Sequence, residues 1–315
     1  MNPEPRFSIV IVHRNGPETL LAALAALHQA MDTQLDEVFL VDNASADDSI
    51  AQVRHRYPDV TIIANPCNNG FARANNQAIT RAGGRFILLL NSDALVPPDI
   101  LARLEGHFSA RPDAALIGAA LVGEDGIAQH SAHAFPSFAG ELGLSRTRPA
   151  VPDPGVDLQP VDWLVGACLA ARRAAVDRLG PLDEDFFFYY EDVEWSLRMR
   201  RGGWGVYLAN DLPVIHLRGL STRSLRHEAR VEMVRARLLY YRKAFPFWQT
   251  AVLYLHRVLG LLLGGAIWGA LALLALGRSR HLNLRALRYL YPMAWLLAGM
   301  PDGWGLPDKC PRGRV

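Results

Sequence analysis

Three polar residues, Asn91, Ser92 and Asp93, directly follow the apolar run FILLL. Carboxylate and amide oxygens are hard ligands that suit Mg²⁺ or Mn²⁺, and a cation held here would complete its shell with diphosphate oxygens. A cation in that place neutralises the charge that grows on a departing diphosphate. An Asx turn that only ends a strand explains the same tripeptide, so the metal hypothesis needs support from elsewhere in the chain.

A second polar motif, VDNASADDS (41–49), also follows an apolar run. Its Asp42 can accept a hydrogen bond from the imide N–H of a nucleobase. Ser45 and Asp47 are suited to cap the next helix, and capping alone could explain them. We therefore predict a base-binding role for Asp42 only.

Gly70 precedes a helical stretch and allows the backbone to turn sharply at its start. Asn75 and Asn76 follow within that stretch and offer amide donors to a phosphate or ribose. Neither a Gly-Lys-Ser/Thr loop nor a G-x-G-x-x-G pattern occurs in the chain. We therefore predict phosphate binding near Gly70, although the segment matches neither of these known phosphate-binding motifs.

Five consecutive aromatic residues at 186–190 are flanked by acidic residues between Asp183 and Glu194. Aromatic rings suit a sugar-binding wall, and a carboxylate can remove the proton from an attacking sugar hydroxyl. Glu191 and Asp192 are adjacent on a predicted helix, so only one of them can face a given site. Acids in a first helical turn are also explained by the helix dipole, which leaves a structural alternative.

His216 ends the apolar run VIH and could complete the shell of a divalent metal. A lone histidine is more often structural, so it counts only in combination with the other residues. Arg218 and Arg223 could bind a diphosphate or membrane phosphates equally well.

The elements that must position these residues alternate between strands and helices from residue 7 to about residue 120. Apolar, β-branched runs predict strands at 7–12, 37–42, 60–65 and 85–91. Periodic runs predict helices at 17–30 and 48–56, and a third helix that continues through 75–83 and stops at Gly83-Gly84. This order predicts an α/β fold of parallel βαβ units, in which ligands bind beyond the carboxyl ends of the strands. The polar residues that end these strands should then converge on one sheet edge. They are His13-Arg14-Asn15, Asp42-Asn43, Asn65 and Asn91-Ser92-Asp93.

Beyond this region, residues 129–160 are rich in Pro and Ser and are expected to form a surface loop near the site. Ordered blocks are expected again at 161–173, 182–204 and 206–219.

The amino-acid composition and charge exclude some classes of protein. The 315 residues are 50% hydrophobic and 20% charged, which excludes a disordered chain, and the net charge of +2 gives no reason to expect a nucleic-acid partner. Charge is uneven, because residues 244–300 hold five Arg and no acid, which suggests an anionic membrane surface as partner. The three widely spaced cysteines form no disulfide or zinc pattern, so a reducing cytoplasm is expected.

The tail contains nineteen uncharged residues, Val258–Leu276. A helix of that length reaches the thickness of a bilayer core. A single span, however, would place the arginines beyond it on the side opposite the catalytic region, against the positive-inside tendency. We therefore expect helices that lie in or dip into the inner leaflet, together with Tyr289–Met300, which is too short to cross. Glycines at 264, 265 and 269 also permit a buried helix pair in a soluble protein.

The order of these motifs over residues 7–245 resembles that of the family-2 glycosyltransferases of GT-A fold. The amino-acid sequence of the motifs resembles the rhamnosyltransferase-like branch of that family. The matching segments are SIVIV with Asn15, VDNASADDS, NNGFARANN, LLLNSDA, VDWLVGACLAARR, FFFYYEDVEWSLRMRRGGW and VIHLRG. The resemblance implies a Rossmann-like, mostly parallel sheet with flanking helices in a domain of residues 1–245. Residues 246–315 would form a hydrophobic, basic, membrane-associating helical tail.

The resemblance also implies roles for single residues. Asp192, of the Glu191-Asp192 pair, would be the general base. The metal, Mg²⁺ or Mn²⁺, would be bound by Asp93 and His216, with Asn91 in place of the first Asp of the family's D-x-D. The donor would contact Asn15, Asp42, Gly70, Asn76, Ser92, Trp163 and Gly166, and the aromatic run would face the acceptor.

The segment that begins at Glu194 lacks the Q-x-x-R-W motif of processive synthases, so a single sugar addition is expected. The expected reaction is inverting transfer of a sugar, with L-rhamnose from dTDP-rhamnose favoured, to a lipid-linked or cell-surface glycan. It would take place at the cytoplasmic face of the bacterial inner membrane, with the protein peripheral or monotopic. A UDP- or GDP-sugar donor, a sugar-nucleotidyltransferase and an inactive nucleotide-sugar-binding scaffold are the alternatives.

Overall fold

A computed structural model describes residues 4–145, 153, 155–217 and 226–311. Arg218 and Arg223 lie outside these described residues. The chain forms two compact units: the first comprises Met1–Phe135, Thr147–Glu184 and Glu191–Ser221, and the second comprises Pro136–Arg146, Asp185–Tyr190 and Thr222–Val315. The second unit thus starts before residue 246, and the domain boundary expected at 245 remains a prediction.

All named strands belong to the first unit. They are β1 (Phe7–His13), β2 (Asp36–Asp42), β3 (Thr61–Ala64), β4 (Phe86–Asn91), β5 (Ala94–Leu95), β6 (Ala114–Val122), β7 (Ala132–His133), β8 (Leu158–Pro160), β9 (Trp163–Leu164), β10 (Cys168–Arg172) and β11 (Gly205–His216). The helices are α1 (Pro17–Ala30), α2 (Ser49–Arg56), α3 (Gly70–Ile79), α4 (Ile100–Ala110), α5 (Phe138–Glu141), α6 (Arg173–Leu179), α7 (Glu191–Arg201), α8 (Arg226–Ala244), α9 (Phe247–Leu274) and α10 (Arg280–Leu297).

In the described part of the chain, nine strands form one mixed sheet. Its order is β3-β2-β1-β4-β10-β6-β11-β5, and β8 also pairs with β11. Strand β1 is parallel to β2 and β4, and β2 is parallel to β3, which confirms the predicted βαβ units. Strand β10 is antiparallel to both β4 and β6, so the second half of the sheet is mixed.

Strand β1 illustrates how the sheet is buried on both faces. Phe7, Ile9 and Ile11 pack in the core that contains Leu20 and Leu24 of α1. The intervening Val10 belongs to the opposite core, which includes the alanines of α3. Because side chains alternate along a strand, a continuous apolar run serves both faces, and each buried side chain contributes about 1.5–3 kcal/mol.

Two stretches differ from the sequence prediction. Helix α3 begins at Gly70, where the Asn68 carboxamide accepts a hydrogen bond from the Gly70 N–H, and it ends at Ile79 rather than at the predicted stop at Gly83-Gly84. Residues 129–160 also contain β7, α5 and β8, although a surface loop was expected. Strand β7 pairs with β9, and β8 pairs with β11. Because these short strands are stabilised by distant partners, the local sequence carries no strand pattern that would predict them.

Within the second unit, α9 and α10 pack as the expected helix pair. The close approach is made at Gly264, where an added Cβ would collide with the ring of Tyr289, and Gly265 lies beside Leu290. Among the described residues, only α9 is long and apolar enough to cross a membrane. Of its most apolar stretch of 18 residues, 11% is buried. Membrane association of this tail remains a prediction.

Cys168 is a buried free thiol, and burial raises its pKa to about 12. The reducing cytoplasm expected from cysteine usage remains a prediction.

Candidate functional site

The carboxyl ends of the parallel strands meet at one sheet edge, as predicted. His13 at the end of β1 is in register with Asp42 at the end of β2, and Val12 is in register with Asn91 at the end of β4. Asp42 is in turn paired with Ala64, directly before Asn65. The polar residues that follow these strands are therefore neighbours on the edge where parallel sheets bind ligands.

Asn15 and its neighbour Gly16 hold the loop that follows β2. The Asn15 carboxamide oxygen accepts a hydrogen bond from the Ala46 N–H at 2.8 Å, and the Asn15 N–H donates to Ser45 Oγ at 3.0 Å. The Gly16 N–H donates to Asp47 Oδ2 at 2.7 Å. Asn15 thus has a clear role in shaping the edge, and its direct contact with a donor remains a prediction.

Asp42 is buried and only half satisfied. Its Oδ1 accepts a hydrogen bond from the Ser45 N–H at 2.9 Å, and within the described residues its Oδ2 has no hydrogen-bond partner. A carboxylate oxygen that the protein leaves unpaired can accept a hydrogen bond from a donor group of a ligand. This geometry is consistent with the predicted contact to a nucleobase.

His13, beside Asp42, lies at the sheet edge as expected, and both nitrogens of its ring lack hydrogen-bond partners in the part of the chain that the structure describes. The ring is 1% exposed. Burial lowers the pKa of His13, and the nearby carboxylates of Asp47 and Asp42 oppose that shift. The signal in the sequence was a polar residue at the end of an otherwise apolar strand.

Asn43 connects the sheet edge to the start of α3. Its Nδ2 donates to the Gly70 carbonyl at 2.9 Å, and its Oδ1 accepts from Asn65 Nδ2 at 3.1 Å and from the Asn69 N–H at 3.3 Å. Gly70 has φ +77°, a conformation that other residues adopt only with strain, so the predicted sharp turn is confirmed. Whether Gly70 contacts a donor remains a prediction.

Asn76 has a different task from the one predicted. Its Nδ2 donates to the Leu182 carbonyl at 2.8 Å and to Glu184 Oε1 at 3.0 Å, while its Oδ1 accepts from the Leu182 N–H at 3.1 Å. Both of its donor hydrogens are therefore used inside the protein. The contacts support a structural tether between α3 and the segment before residue 185 rather than phosphate or ribose binding.

Asp93 and His216 are brought together at the same end of the sheet. His216 Nε2 lies 3.4 Å from Asp93 Oδ1, and the Leu217 N–H donates to the Asp93 carbonyl at 3.0 Å. On its other side, His216 Nδ1 lies 3.2 Å from Oε1 of Gln129, whose Nε2 donates to the His216 carbonyl at 2.7 Å. Gln129 was not identified from the sequence, because it lies in a segment without periodicity.

The Asp93 and His216 pair fits a divalent cation. If His216 Nδ1 carries the proton and donates to Gln129, Nε2 presents a lone pair toward the Asp93 carboxylate. An oxygen and a nitrogen ligand so placed suit Mn²⁺ or Mg²⁺. No group of three or more His, Cys, Asp or Glu that could hold a metal occurs within the ranges described, so the other ligands would come from a diphosphate and water. Asn91 and Ser92, partly exposed, lie just before Asp93.

Glu191 and Asp192 begin α7 and differ in environment. Asp192 Oδ2 accepts a hydrogen bond from the Gly166 N–H at 3.1 Å, and Oδ1 accepts one from the Val193 N–H at 2.8 Å. Burial raises the pKa of Asp192 to about 6, against the lowering effect of these bonds. Glu191 is more deeply buried, its Oε2 has no partner in the described structure, and burial followed by the charge of Asp192 raises its pKa well above the usual value.

A short segment links Asp192 to the Asn91-Ser92-Asp93 tripeptide. The Gly166 N–H donates to Asp192, and the carbonyl of the next residue, Ala167, accepts a hydrogen bond from the Asn91 N–H at 2.9 Å. A Cβ at Gly166 would lie 3.6 Å from the Asp192 Cβ, so the backbone passes close to the carboxylate. The structure thus brings Asp192, Gly166 and Asn91 into one neighbourhood.

Trp163, predicted to border the donor sugar, lies in the small β7-β9 ribbon. Its ring stacks on His133 with centroids 4.8 Å apart, and its Nε1 donates to the Ala134 carbonyl at 3.0 Å. The side chain is therefore held in one orientation, three residues before Gly166. Its contact with a sugar remains a prediction.

The aromatic run was expected to face the acceptor, and this is wrong for most of it. Phe186, Phe187 and Tyr190 are at most 9% exposed, and Phe187 packs against Ala229 and Leu306 in the second unit. These rings form a core because consecutive aromatic side chains bury large apolar areas. Only Phe188 and Tyr189 are partly exposed.

Comparison with known families decides the class of this site. The model of the family described as glycosyl transferase family 2 matches residues 8–180. The chain belongs to glycosyl transferase family 2. It is 28% identical over 238 residues to the N-acetylglucosaminyl-diphospho-decaprenol L-rhamnosyltransferase of Mycobacterium tuberculosis, which covers 68% of this chain and 76% of the relative.

Two solved structures show the fold of this family-2 glycosyltransferase. The mannosyltransferase PcManGT from Pyrobaculum calidifontis, in complex with GDP-Man and Mn²⁺, has a TM-score of 0.57 at 18% identity and covers 95% of this chain and 88% of that one. GalNAc-T7 with UDP, GalNAc and Mn²⁺ has a TM-score of 0.56 at 17% identity and covers 67% of this chain and 44% of that one. The predicted GT-A fold and the predicted class of enzyme are thereby confirmed.

The family match ends at residue 180. It includes the strand-end residues up to Asp93 and the segment with Trp163 and Gly166. Asp192 and His216 lie beyond it, so their roles in this glycosyltransferase rest on the geometry described above.

Proposed function

We propose that the enzyme transfers a single sugar, with inversion, from a nucleotide diphosphate donor to a lipid-linked glycan. The observation that carries this proposal is the link from Asp192 through Gly166 and Ala167 to Asn91, which joins a basic carboxylate to the candidate metal site. The favoured donor is dTDP-L-rhamnose, because a relative at 28% identity is named as an L-rhamnosyltransferase that acts on a diphospho-decaprenol.

In this mechanism Asp192 removes the proton from the acceptor hydroxyl as its oxygen attacks the anomeric carbon. The bond from that carbon to the diphosphate breaks on the opposite face, which inverts the configuration and releases a nucleoside diphosphate. Asp42 holds the base through its unpaired Oδ2. Asp93 and His216 would hold the cation, which supplies neutralisation of the charge on the leaving diphosphate.

The pH dependence of turnover tests the role of Asp192. A base must be deprotonated to act, and the pKa of Asp192 is raised to about 6 by burial. We therefore expect kcat to be constant above neutral pH and to fall as pH decreases through about 6, by about tenfold per pH unit below that value. The measurement uses saturating donor and Mn²⁺ so that loss of metal does not limit the rate. A kcat that stays constant down to pH 5 would contradict the assignment.

The donor is tested by binding. A thermal-shift screen of the full chain with Mn²⁺ should show the largest stabilisation with dTDP-rhamnose, since a ligand that binds only the folded state raises the melting temperature. A larger shift in melting temperature with a UDP- or GDP-sugar would identify that sugar as the donor and leave the proposed reaction type unchanged. No response to any nucleotide sugar would contradict the enzyme proposal. Binding without turnover would favour the inactive scaffold.

Residues of α9 support association with the inner leaflet of the membrane. Its exposed apolar side chains include Leu255, Leu259, Leu263 and Ile267, which are between 46% and 63% exposed. Monomeric soluble proteins seldom expose so large an apolar surface, so this helix is suited to the boundary between headgroups and acyl chains. The arginines of α10 would then contact anionic headgroups.

Substitution of Leu263 tests this placement. We expect Leu263→Glu to lower binding to vesicles containing phosphatidylglycerol by about tenfold or more, because a charge on the apolar face opposes insertion. Co-sedimentation of the full chain with vesicles gives the measurement. The matched control is Ile127→Glu, which places the same charge on a side chain that is 67% exposed in the first unit. Equal vesicle binding by the two variants would contradict the proposed membrane-facing role of α9.

A further inference from the structure

Four arginines of the second unit gather around α8. Arg230 and Arg237 are seven residues apart on α8, so they lie on one helix face two turns from each other. Arg257 of α9 and Arg288 of α10 are close enough that, after burial itself, they and Arg237 lower the pKa of Arg230. Three helices therefore contribute guanidinium groups to one place.

The hydrogen bonds of these arginines are incomplete. Nε of Arg230 and Nε of Arg257 are both buried and have no hydrogen-bond partner among the described residues. Arg237 Nε donates to Tyr190 Oη at 2.6 Å, and Arg257 Nη2 donates to Glu141 Oε2 at 3.1 Å. Buried donors without an acceptor are rare in proteins, so two of them in one cluster indicate a missing acceptor.

The charges of the cluster are not balanced either. Glu141 is the carboxylate in ionic contact with it, at 3.1 Å from Arg257 and 3.9 Å from Arg237. Glu232 is occupied elsewhere by Arg235 and Lys309. The segments outside the described residues contain no Asp or Glu in the sequence. Guanidinium groups held close in a partly buried site repel one another unless an anion lies between them.

We propose that this cluster binds the diphosphate of a lipid-linked substrate, with Arg230 and Arg257 as the principal donors. Planar guanidinium groups bind phosphate oxygens through paired, charge-assisted hydrogen bonds, and a diphosphate carries enough negative charge to offset several of them. The exposed apolar side chains of α9, near Arg257 in sequence, suit the hydrocarbon chain of such a molecule. This inference rests on the proposed function only for the identity of the acceptor.

Binding of farnesyl diphosphate to the full chain in detergent tests the proposal. Equilibrium dialysis is carried out with EDTA and without nucleotide sugar, so that neither the metal site nor transfer contributes. We expect Arg230→Gln to weaken binding by about tenfold or more and Arg288→Gln, at an exposed position, by about threefold. The matched control is Arg178→Gln, the same change at an exposed position of α6 in the first unit, which should bind as the unsubstituted protein does. Circular dichroism verifies that each variant is folded.

Competition identifies the chemistry of the ligand. Farnesol should not displace farnesyl diphosphate, and inorganic diphosphate should do so only at much higher concentration. Equal affinity for inorganic diphosphate, or equal competition by phosphatidylglycerol, would overturn a lipid diphosphate as the ligand. Unchanged binding by folded Arg230→Gln and Arg288→Gln would overturn the site. Because no sugar is transferred, these outcomes are independent of whether the donor or the base has been assigned correctly.

Discussion

Replacing Asp192 with Asn is expected to lower kcat by about 10³-fold, within the range that a general base contributes. The amide has no basic oxygen with which to accept a proton from the acceptor hydroxyl. Its carbonyl oxygen can still accept the Gly166 N–H, which now bonds to Asp192 Oδ2 at 3.1 Å, so the local backbone should be retained. The dissociation constant of the donor, measured by calorimetry with Mn²⁺, should change little.

The matched control for this variant is Glu194→Gln, two residues further along α7. Glu194 pairs with Arg198 at 2.9 Å and has no proposed part in the reaction. We expect this variant to keep most of its activity and to lose only a little stability. If Asp192→Asn also keeps most of its activity, the assignment of the base is wrong.

Replacing Asp93 with Asn is expected to lower turnover at fixed Mn²⁺ by about 10²-fold or more, since a charged metal ligand is exchanged for a neutral one. Part of the loss should be recovered at higher Mn²⁺ concentration, because His216 remains. Titration of activity with Mn²⁺ separates weakened metal binding from a damaged catalytic step.

Asp99→Asn provides the comparison for the metal variant. Asp99 lies just before α4 and pairs with Arg103 at 3.2 Å on an exposed surface. Its substitution should leave the Mn²⁺ titration unchanged, since exposed ion pairs contribute little to stability. An unchanged titration for Asp93→Asn as well would exclude Asp93 as a metal ligand.

The parallel half of the sheet could be predicted because each of its strands is an apolar run with its own local pattern. The convergence of Asp42 and Asn91 then followed from topology, since parallel strands direct their carboxyl ends to one edge. The pairing of Glu191 with Asp192 also implied that only one carboxylate could face the site. The structure gives Glu191 the buried position and leaves Asp192 partly accessible.

Other features depend on contacts distant in sequence and could not be predicted. Strand β10 lies between β4 and β6 through pairings that no local pattern specifies. Asn76 resembles a ligand in the sequence, but its partner Leu182 is 106 residues away. Gln129 contacts His216 across 87 residues. The aromatic run at 186–190 resembled a sugar-binding wall because sequence alone does not distinguish a core of rings from an exposed one.

The central claim is that the residues at this sheet edge perform metal-dependent transfer from a nucleotide diphosphate sugar. The most direct measurement is release of dTDP from dTDP-rhamnose in the presence of a lipid-linked acceptor, before and after removal of divalent metal with EDTA. We expect release to require acceptor, to stop with EDTA and to resume when Mn²⁺ is added in excess. Release that continues at the same rate in EDTA, or the absence of release from dTDP-, UDP- and GDP-sugars alike, would contradict this account.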